Sequence, residues 1–404
     1  MTLLDMPVAI VGAGPAGLMA ASRLAAAGCA VSVYERLPSP ARKLLMAGRG
    51  GLNLTHSEPL DLFLSRYAPQ APALMAAVRA FPPSALRAFA QDLGEATFVG
   101  SSGRVFPDSF KASPLLRAWL GRLAAEGVQL KTRHLWRGWA PDGALRLSTA
   151  EGEEDIRPAA TLLALGGASW PRLGSDGGWV PLLRERGVSV EPFRPANMGV
   201  LIGWSAPMLR FAGAPLKRIA LSCGAVRVRG EAVVTAGGLE GGAVYALSAA
   251  VRAALEGGGP AQMSVDLRPD LDANQLARKL EAVPERYSLA NRLRKGAGLS
   301  PVAASLLREA GPLPPGVQAL AARIKDVPLG VTGTSGLERA ISSAGGISWD
   351  DLDSHFMLKA VPGVFACGEM LDWEAPTGGY LLQACFATGL AAAEGILAHL
   401  GRAR

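Results

Sequence analysis

Apolar residues follow two rhythms through the first third of the chain. Residues 7–11 (Pro-Val-Ala-Ile-Val) and 31–34 (Val-Ser-Val-Tyr) are short apolar runs, which predict buried strands of a parallel sheet. Between them, residues 16–27 are rich in Ala and Leu and end at Gly28, the pattern of a helix closed by a C-terminal glycine. This is the opening of a β-α-β unit. Residues 40–58 break both rhythms and read as a loop rich in Gly, Lys, Arg and Asn. Helical periodicity returns over 72–93 and 112–126. Between these, residues 103–107 read as a strand end and turn. Residues 161–165 are a further apolar strand, closed by Gly166 and Gly167.

After about residue 190 the pattern changes. Residues 195–265 alternate short β-like runs with Gly-rich turns, as in 221–230 and 231–238, and predict a small barrel or sheet. Residues 270–325 are helical in pattern over 274–282, 301–310 and 317–325. Pro and Gly clusters at 258–260 and 311–316 punctuate them. The α/β character resumes near 341, with a strand at 361–367 and a long Ala-rich helix at 379–400. The simplest organisation is a discontinuous α/β domain, 1–190 and 341–404, split by an insert, 191–340. The insert combines a β-barrel (195–265) with a helical part (270–325).

Composition narrows the class. The chain has 404 residues, 49% hydrophobic and 19% charged, enough apolar surface for a large core. The net charge is +7, and residues 195–330 hold sixteen Lys and Arg against ten Asp and Glu, so the basic excess lies mid-chain. An anionic partner such as RNA would meet that region. Cys29, Cys223, Cys367 and Cys385 form no CxxC pair, and His56, His134, His355 and His399 are scattered. Neither set has metal-ligand spacing, so no metal site is expected, and four cysteines do not make a disulfide framework. A reducing, cytoplasmic setting follows. No signal peptide is read at the N-terminus, and no uninterrupted apolar run reaches the ~18 residues of a membrane span.

The sharpest motif is Gly12-Ala13-Gly14-Pro15-Ala16-Gly17, a G-x-G-x-x-G between the first strand and the first helix. Gly12 permits the tight turn, Gly14 lets the backbone approach a pyrophosphate, and Gly17 lets helix and strand pack closely. The helix start, with Pro15 and Ala16, offers free N–H groups to phosphate. Glu35 ends the second strand, where its carboxylate can accept from both ribose hydroxyls, and Arg36 follows it. The site is therefore a dinucleotide site, for NAD or FAD.

Residues 41–56, Ala-Arg-Lys-Leu-Leu-Met-Ala-Gly-Arg-Gly-Gly-Leu-Asn-Leu-Thr-His, together with the fingerprint resemble the BaiN-like flavoproteins, also known as aminoacetone-oxidase-type FAD enzymes. Residues 103–107, 165–169 and 364–389 resemble segments of the same family, so the resemblance covers nearly the whole chain in order. It implies a Rossmann-like FAD-binding domain with an inserted domain. It also implies that Lys43, Arg49 and the backbone of Gly48 and Gly51 line the pyrophosphate and flavin edge, with Asn53 bonding to cofactor or substrate. Gly166 and Gly167 close the third strand of the same site. Cys367-Gly368-Glu369 closes a later strand, with Glu369 or Asp372 on the ribityl chain. Gly378, Gly379, Tyr380 and Leu381 begin the last helix, whose positive N-terminus would face the flavin ring. Arg49 and Tyr380 are the candidates for polarising a substrate carbonyl or relaying a proton.

This sequence departs from the family in three places. Leu381 stands where the family carries Asn. Residues 235–242 lack the usual histidine and Ser-Gly-Pro pattern, and 171–178 differ from the family's Thr/Gly-rich turn. These segments are expected to face the substrate. The sequence has no second G-x-G-x-x-G after a strand, so NAD(P)H would visit as a transient donor rather than occupy a built-in domain. The resemblance implies reduction of a C=C bond conjugated to a carbonyl, on a small molecule or on uracil of rRNA. Amine oxidation with O₂ and a non-catalytic flavin- or RNA-binding role are the alternatives.

Overall fold

The computed structural model describes residues 6–402, and the Arg49 side chain lies outside the described residues. The chain divides into two compact units, Met1–Arg194 with Ser342–Arg404, and Pro195–Ile341.

The first unit is built on five parallel strands: β1 (Val8–Val11), β2 (Val31–Glu35), β3 (Gln129–Thr132), β4 (Thr161–Leu163) and β5 (Val364–Ala366). Their order is β5-β4-β1-β2-β3, and the pairs run in register, as in Ile10 opposite Val33 on one side and Leu162 on the other. β1, β4 and β5 are buried along their whole length, which is why they read as unbroken apolar runs. Helix α1 (Pro15–Ala26) connects β1 to β2, and α2 (Tyr380–His399) follows β5. Both are rich in Ala and Gly because they pack closely: a Cβ on Gly389 would lie 2.3 Å from the Ala16 carbonyl oxygen. By length and composition α2 is apolar enough to cross a bilayer, but Phe386, Ala387, Ala393 and Ile396 are buried in the core of this unit. A three-stranded antiparallel sheet, Leu135–Trp139, Leu145–Ser148 and Glu153–Ile156, connects β3 to β4.

The second unit has its own core around an antiparallel sheet. The stretch Val327–Val331 pairs with Ala261–Asp266 at one edge. Two residues on, Gly333–Thr334 pairs with Val200–Leu201 at the other. One continuous stretch of chain thus serves both edges and closes the sheet into a barrel. Helices Ala273–Glu281, Leu289–Gly296, Pro301–Glu309 and Val317–Lys325 follow the barrel's Ala261–Asp266 strand. Two readings from the pattern need correction. The main hairpin is Pro215–Cys223 with Val226–Thr235, so it turns at Gly224-Ala225, inside the run read as 221–230. Gly230 lies inside a strand, where its missing Cβ makes room for Ala243. The residues read as barrel also contain the helix Ser248–Glu256.

Candidate functional site

The carboxyl ends of β1, β2, β4 and β5 open onto one cleft of about 380 Å³. This is where an open parallel sheet binds ligands, at the point where successive strands leave in opposite directions. Here β1 has β2 on one side and β4 on the other.

The fingerprint turn shapes the floor. Gly12 has φ +107° and a Cβ there would lie 2.3 Å from the Ala164 carbonyl oxygen; a Cβ on Gly17 would lie 2.1 Å from the Gly12 carbonyl oxygen. Those two glycines are set by protein packing. Gly14 differs, because a Cβ there would meet no protein atom within 4 Å, and the residue lines the cleft. The space in front of it is therefore free for a ligand. The first N–H groups of α1 point the same way, as helix starts do.

Glu35 stands at the end of β2. Its carboxylate accepts from the backbone N–H of Ala13 (3.2 Å) and of Leu37 (2.8 Å), which fixes its orientation. Burial raises its pKa above the ordinary carboxylate value, and these two backbone bonds oppose that rise. Lys43 donates to Ser169 Oγ and to Glu369 Oε2, both at 2.6 Å. The other Glu369 oxygen accepts from the Ser343 N–H at 3.1 Å. This ion pair joins the short helix Arg42–Ala47, in the stretch read as a loop, to the turn after β5 across the cleft floor. The two distant glycine-lined stretches meet here: a Cβ on Gly368 would lie 2.9 Å from that of Ala16.

Of the residues singled out from the sequence, Gly12, Gly14, Pro15, Ala16, Glu35, Arg36, Lys43, Gly166, Gly368 and Glu369 line this cleft. The others, apart from Arg49, whose side chain lies outside the described residues, have visible work elsewhere. Gly167 packs on Ser343 and Glu369, Gly48 on Ala112, and Gly51 against the Phe110 ring. The Asp372 carboxylate takes a hydrogen bond from the Gly345 backbone, and burial, Glu191 and Glu374 hold its pKa up. Leu381 is half-buried against the core of the first unit.

Gly378, Gly379 and Tyr380 belong to a second cluster. A Cβ on Gly379, at φ +95°, would lie 2.4 Å from the Thr55 Cα. In the amide orientation that satisfies all its neighbours, the Asn53 carbonyl accepts from the Gly379 N–H (3.2 Å) and its NH₂ donates to the Thr55 carbonyl (3.0 Å). Tyr67 donates to the Tyr380 carbonyl (2.8 Å), and Thr55 donates to Gln383 Oε1 (2.8 Å). The start of α2 is thus tied to residues 53–55. The Tyr380 hydroxyl donates to Glu58 Oε1 at 2.6 Å, and its ring stacks on His56. Burial and the Glu58 carboxylate push the phenol pKa well above its ordinary value, so Tyr380 holds its proton.

Sequence reading missed part of the cleft's outer wall. His134, Trp136 and Arg137, after β3, and Leu173, Gly174, Ser175, Asp176, Trp179 and Leu182, after β4, line it. No local motif marks them; they come together only because β2, β3 and β4 end on one side of the sheet. Leu173–Asp176, expected at the substrate, instead lie beside Arg36, whose guanidinium pairs with Asp176 at 2.7 Å. Cys367 and Cys385 line the inner end. Burial and the Glu369 charge push the Cys385 thiol up to about 12, and burial raises that of Cys367 further, so both stay neutral thiols.

The residues present fit FAD. An oriented carboxylate stands where a ribose would lie, a helix start and a side-chain-free Gly14 face the place of a pyrophosphate, and Lys43 lies nearby. Three buried polar side-chain atoms of the outer wall, on Arg36, Trp136 and Ser175, have no protein partner, as a wall shaped for a polar ligand would have.

Comparison with known proteins agrees with this geometry. The family model described as the HI0933-like protein Rossmann domain matches residues 6–395. A 3-dehydro-bile acid delta(4,6)-reductase of Clostridium scindens is 27% identical over 411 residues, covering 95% of this chain and 97% of that protein. A ribosomal RNA dihydrouridine synthase of Escherichia coli K12 is 25% identical over 412 residues, covering 96% and 97%. Among solved structures, a 3-ketosteroid-delta4-(5alpha)-dehydrogenase of Rhodococcus jostii RHA1 superposes with a TM-score of 0.52 at 15% identity, covering 99% of this chain and 97% of that one. At that identity the likeness speaks for the fold alone.

Proposed function

The chain belongs to the HI0933-like Rossmann family and is an FAD-dependent oxidoreductase; on that premise we propose that it reduces a C=C bond conjugated to a carbonyl, placing hydride on one carbon and a proton on the next. The observation that carries this reading is the chemistry shared by two relatives matched end to end. A delta(4,6)-reductase acting on a 3-dehydro compound and a synthase of dihydrouridine both saturate such a bond. The substrate is therefore a small conjugated ketone or a uracil of rRNA.

In this reading Gly12, Gly14, Pro15, Ala16 and Gly17 cradle the pyrophosphate, and Lys43 offsets its charge. Glu35 accepts from the ribose hydroxyls, with Arg36 beside it. Glu369, held by Lys43 and Ser343, accepts from the ribityl chain, with Gly166 and Gly368 beneath. The positive N-terminus of α2 would face the pyrimidine side of the ring. Bound FAD supplies the hydride and takes electrons from NAD(P)H, which visits and leaves. Arg49 and Tyr380 are the candidates for polarising the substrate carbonyl or relaying the proton, and Tyr380 holds its own proton at neutral pH.

The test mixes FAD-loaded protein with NADPH or NADH without oxygen, then adds a conjugated steroid-like ketone or a uridine-containing rRNA fragment. Bleaching by the nicotinamide and recovery of colour with one of these acceptors is the expected outcome. A flavin bleached only by amines and recoloured by O₂ would sink the reading and leave an amine oxidase. A cell lacking the protein separates the two substrates: loss of one rRNA dihydrouridine assigns RNA, and an unchanged modification map assigns the small molecule.

A further inference from the structure

We propose that Phe110, packed on Phe98 and Phe106, is a stacking platform for an unpaired base of single-stranded RNA, with Arg104 and Lys111 placed to meet its phosphates. The inference rests on the RNA arm of the proposed substrate and adds a surface whose residues do not line the cleft.

A small antiparallel sheet, with strand Arg104–Pro107 between Thr55–His56 and Thr97–Val99, carries the surface. Phe98 stands opposite Phe106 across the pair, so both side chains rise from one face. Arg104, two residues before Phe106, falls on that face too. Val105, between them, falls on the other face and is buried. Phe110 joins from the turn that follows. The three rings form a triangle, each centroid 5.1–5.8 Å from the other two. A core ring would be covered, but Phe110 is 47% exposed.

The backbone is strained to put that ring there. Phe110 has φ +58°, a left-handed conformation that bulky residues rarely adopt. Two backbone bonds hold it: its N–H donates to the Pro107 carbonyl (2.8 Å), and its carbonyl accepts from the Leu52 N–H (2.9 Å). Glycine would sit there without strain, so an exposed phenylalanine held in that conformation points to use of its ring. The ring also lies against the segment that carries Arg49 and Asn53, since a Cβ on Gly51 would lie 2.9 Å from it. The charges around the ring choose its occupant. Arg104 and the exposed Lys111 have no ion-pair partner among the described residues. An exposed ring beside unpaired cations matches the two parts of a nucleotide, the base on the ring and the phosphate on the cations. A neutral ketone would leave both cations unused. Asp108, exposed on the same turn, offsets one charge, so stacking carries more of the binding than charge does.

The experiment titrates a fluorescein-labelled, uridine-rich single-stranded RNA with FAD-loaded protein and reads anisotropy. The wild-type chain binds it. Phe110→Leu keeps an apolar side chain but removes the stacking face, and weakens binding about tenfold, as loss of one stacked base does. Phe110→Trp keeps the face and stays within about twofold of wild type. Arg104→Gln combined with Lys111→Gln lowers the slope of log affinity against log salt by about 1.4, for two phosphate contacts on a single strand. Flavin content and Tm report on the folding of each variant. Wild-type affinity in a folded Phe110→Leu variant overturns the platform and leaves an RNA substrate standing. If Phe110→Leu does not fold, an unchanged salt slope in the double variant overturns the inference in its place. A wild-type chain that binds no RNA overturns both the inference and the RNA reading, and leaves the small ketone.

Discussion

At the scale of single residues, Glu58 shows how one carboxylate organises its neighbours. Its side chain accepts from Tyr380 and pairs with Arg66 at 2.9 Å. Burial alone would raise its pKa, but the bonds from Arg66 and Tyr380 outweigh that and hold it below the ordinary value. The sign of the linkage follows. The folded state binds this proton less readily than the unfolded state, so Glu58 contributes stability above the ordinary carboxylate range and loses it as pH falls through the depressed value. Glu58→Gln should therefore flatten the acid side of the melting curve at about pH 3–5, measured as Tm against pH. A variant with the wild-type acid slope would refute the assignment. Tyr380→Phe tests the other partner. If the phenol relays the substrate proton, turnover falls about tenfold or more with flavin content unchanged; wild-type turnover returns the role to Arg49. Glu35 was legible in the sequence because it stands a fixed distance beyond a glycine fingerprint. Glu58 was not, because its partner Tyr380 comes from the last helix and no spacing rule reaches it; nor was Trp136, which meets the cleft only through the way the strand ends converge.

Whole elements were more legible than their partners. The strands at 7–11, 31–34 and 161–165 and the two Ala-rich helices announced themselves, since buried parallel strands are unbroken apolar runs. Helix Leu289–Gly296 was not read, because charged residues crowd it and Leu293 is its only buried position. The Gly378-Gly379 pair reads in the sequence as the start of a helix facing the flavin ring. Its geometry also has a protein cause, the contact of Gly379 with Thr55. Close approach of elements is what places the cleft, and this is testable at the α1–α2 crossing. Gly389→Ala would put a Cβ 2.3 Å from the Ala16 carbonyl oxygen. Ala16 opens α1 at the cleft floor, so moving the helices apart moves the phosphate cradle. The expected cost is about 1–3 kcal/mol of stability, the usual range for overpacking, together with weaker FAD retention. Chemical denaturation and flavin content after gel filtration measure the two. Wild-type values for both would mean that the crossing tolerates separation and does not set the cradle.

At the scale of the molecule, the charge is uneven, and this bears on which of the two proposed substrates the chain meets. The second unit carries most of the basic excess. Its helices Ala273–Glu281 and Leu289–Gly296 each end in two cations, Arg278 with Lys279 and Arg294 with Lys295. Their ends abut, since a Cβ on Gly296 would lie 2.8 Å from the Lys279 carbonyl oxygen. Lys295 lies 3.9 Å from the centre of the Tyr287 ring, with Arg286 on the same ring. Cations at helix ends are favoured by the helix dipole alone, so the cluster needs no nucleic acid to exist; only salt dependence separates the two causes. If rRNA is the substrate and meets this surface, binding weakens steeply with salt. Replacing Arg278, Lys279, Arg286 and Lys295 with Gln should then lower the slope of log affinity against log salt by roughly three, at about 0.7–0.9 per lost phosphate contact. FAD affinity should not move, because the cleft lies among residues of the first unit. An unchanged slope with intact flavin binding would show that these charges serve the helices and not a polyanion, and the small conjugated ketone would then be the substrate to pursue.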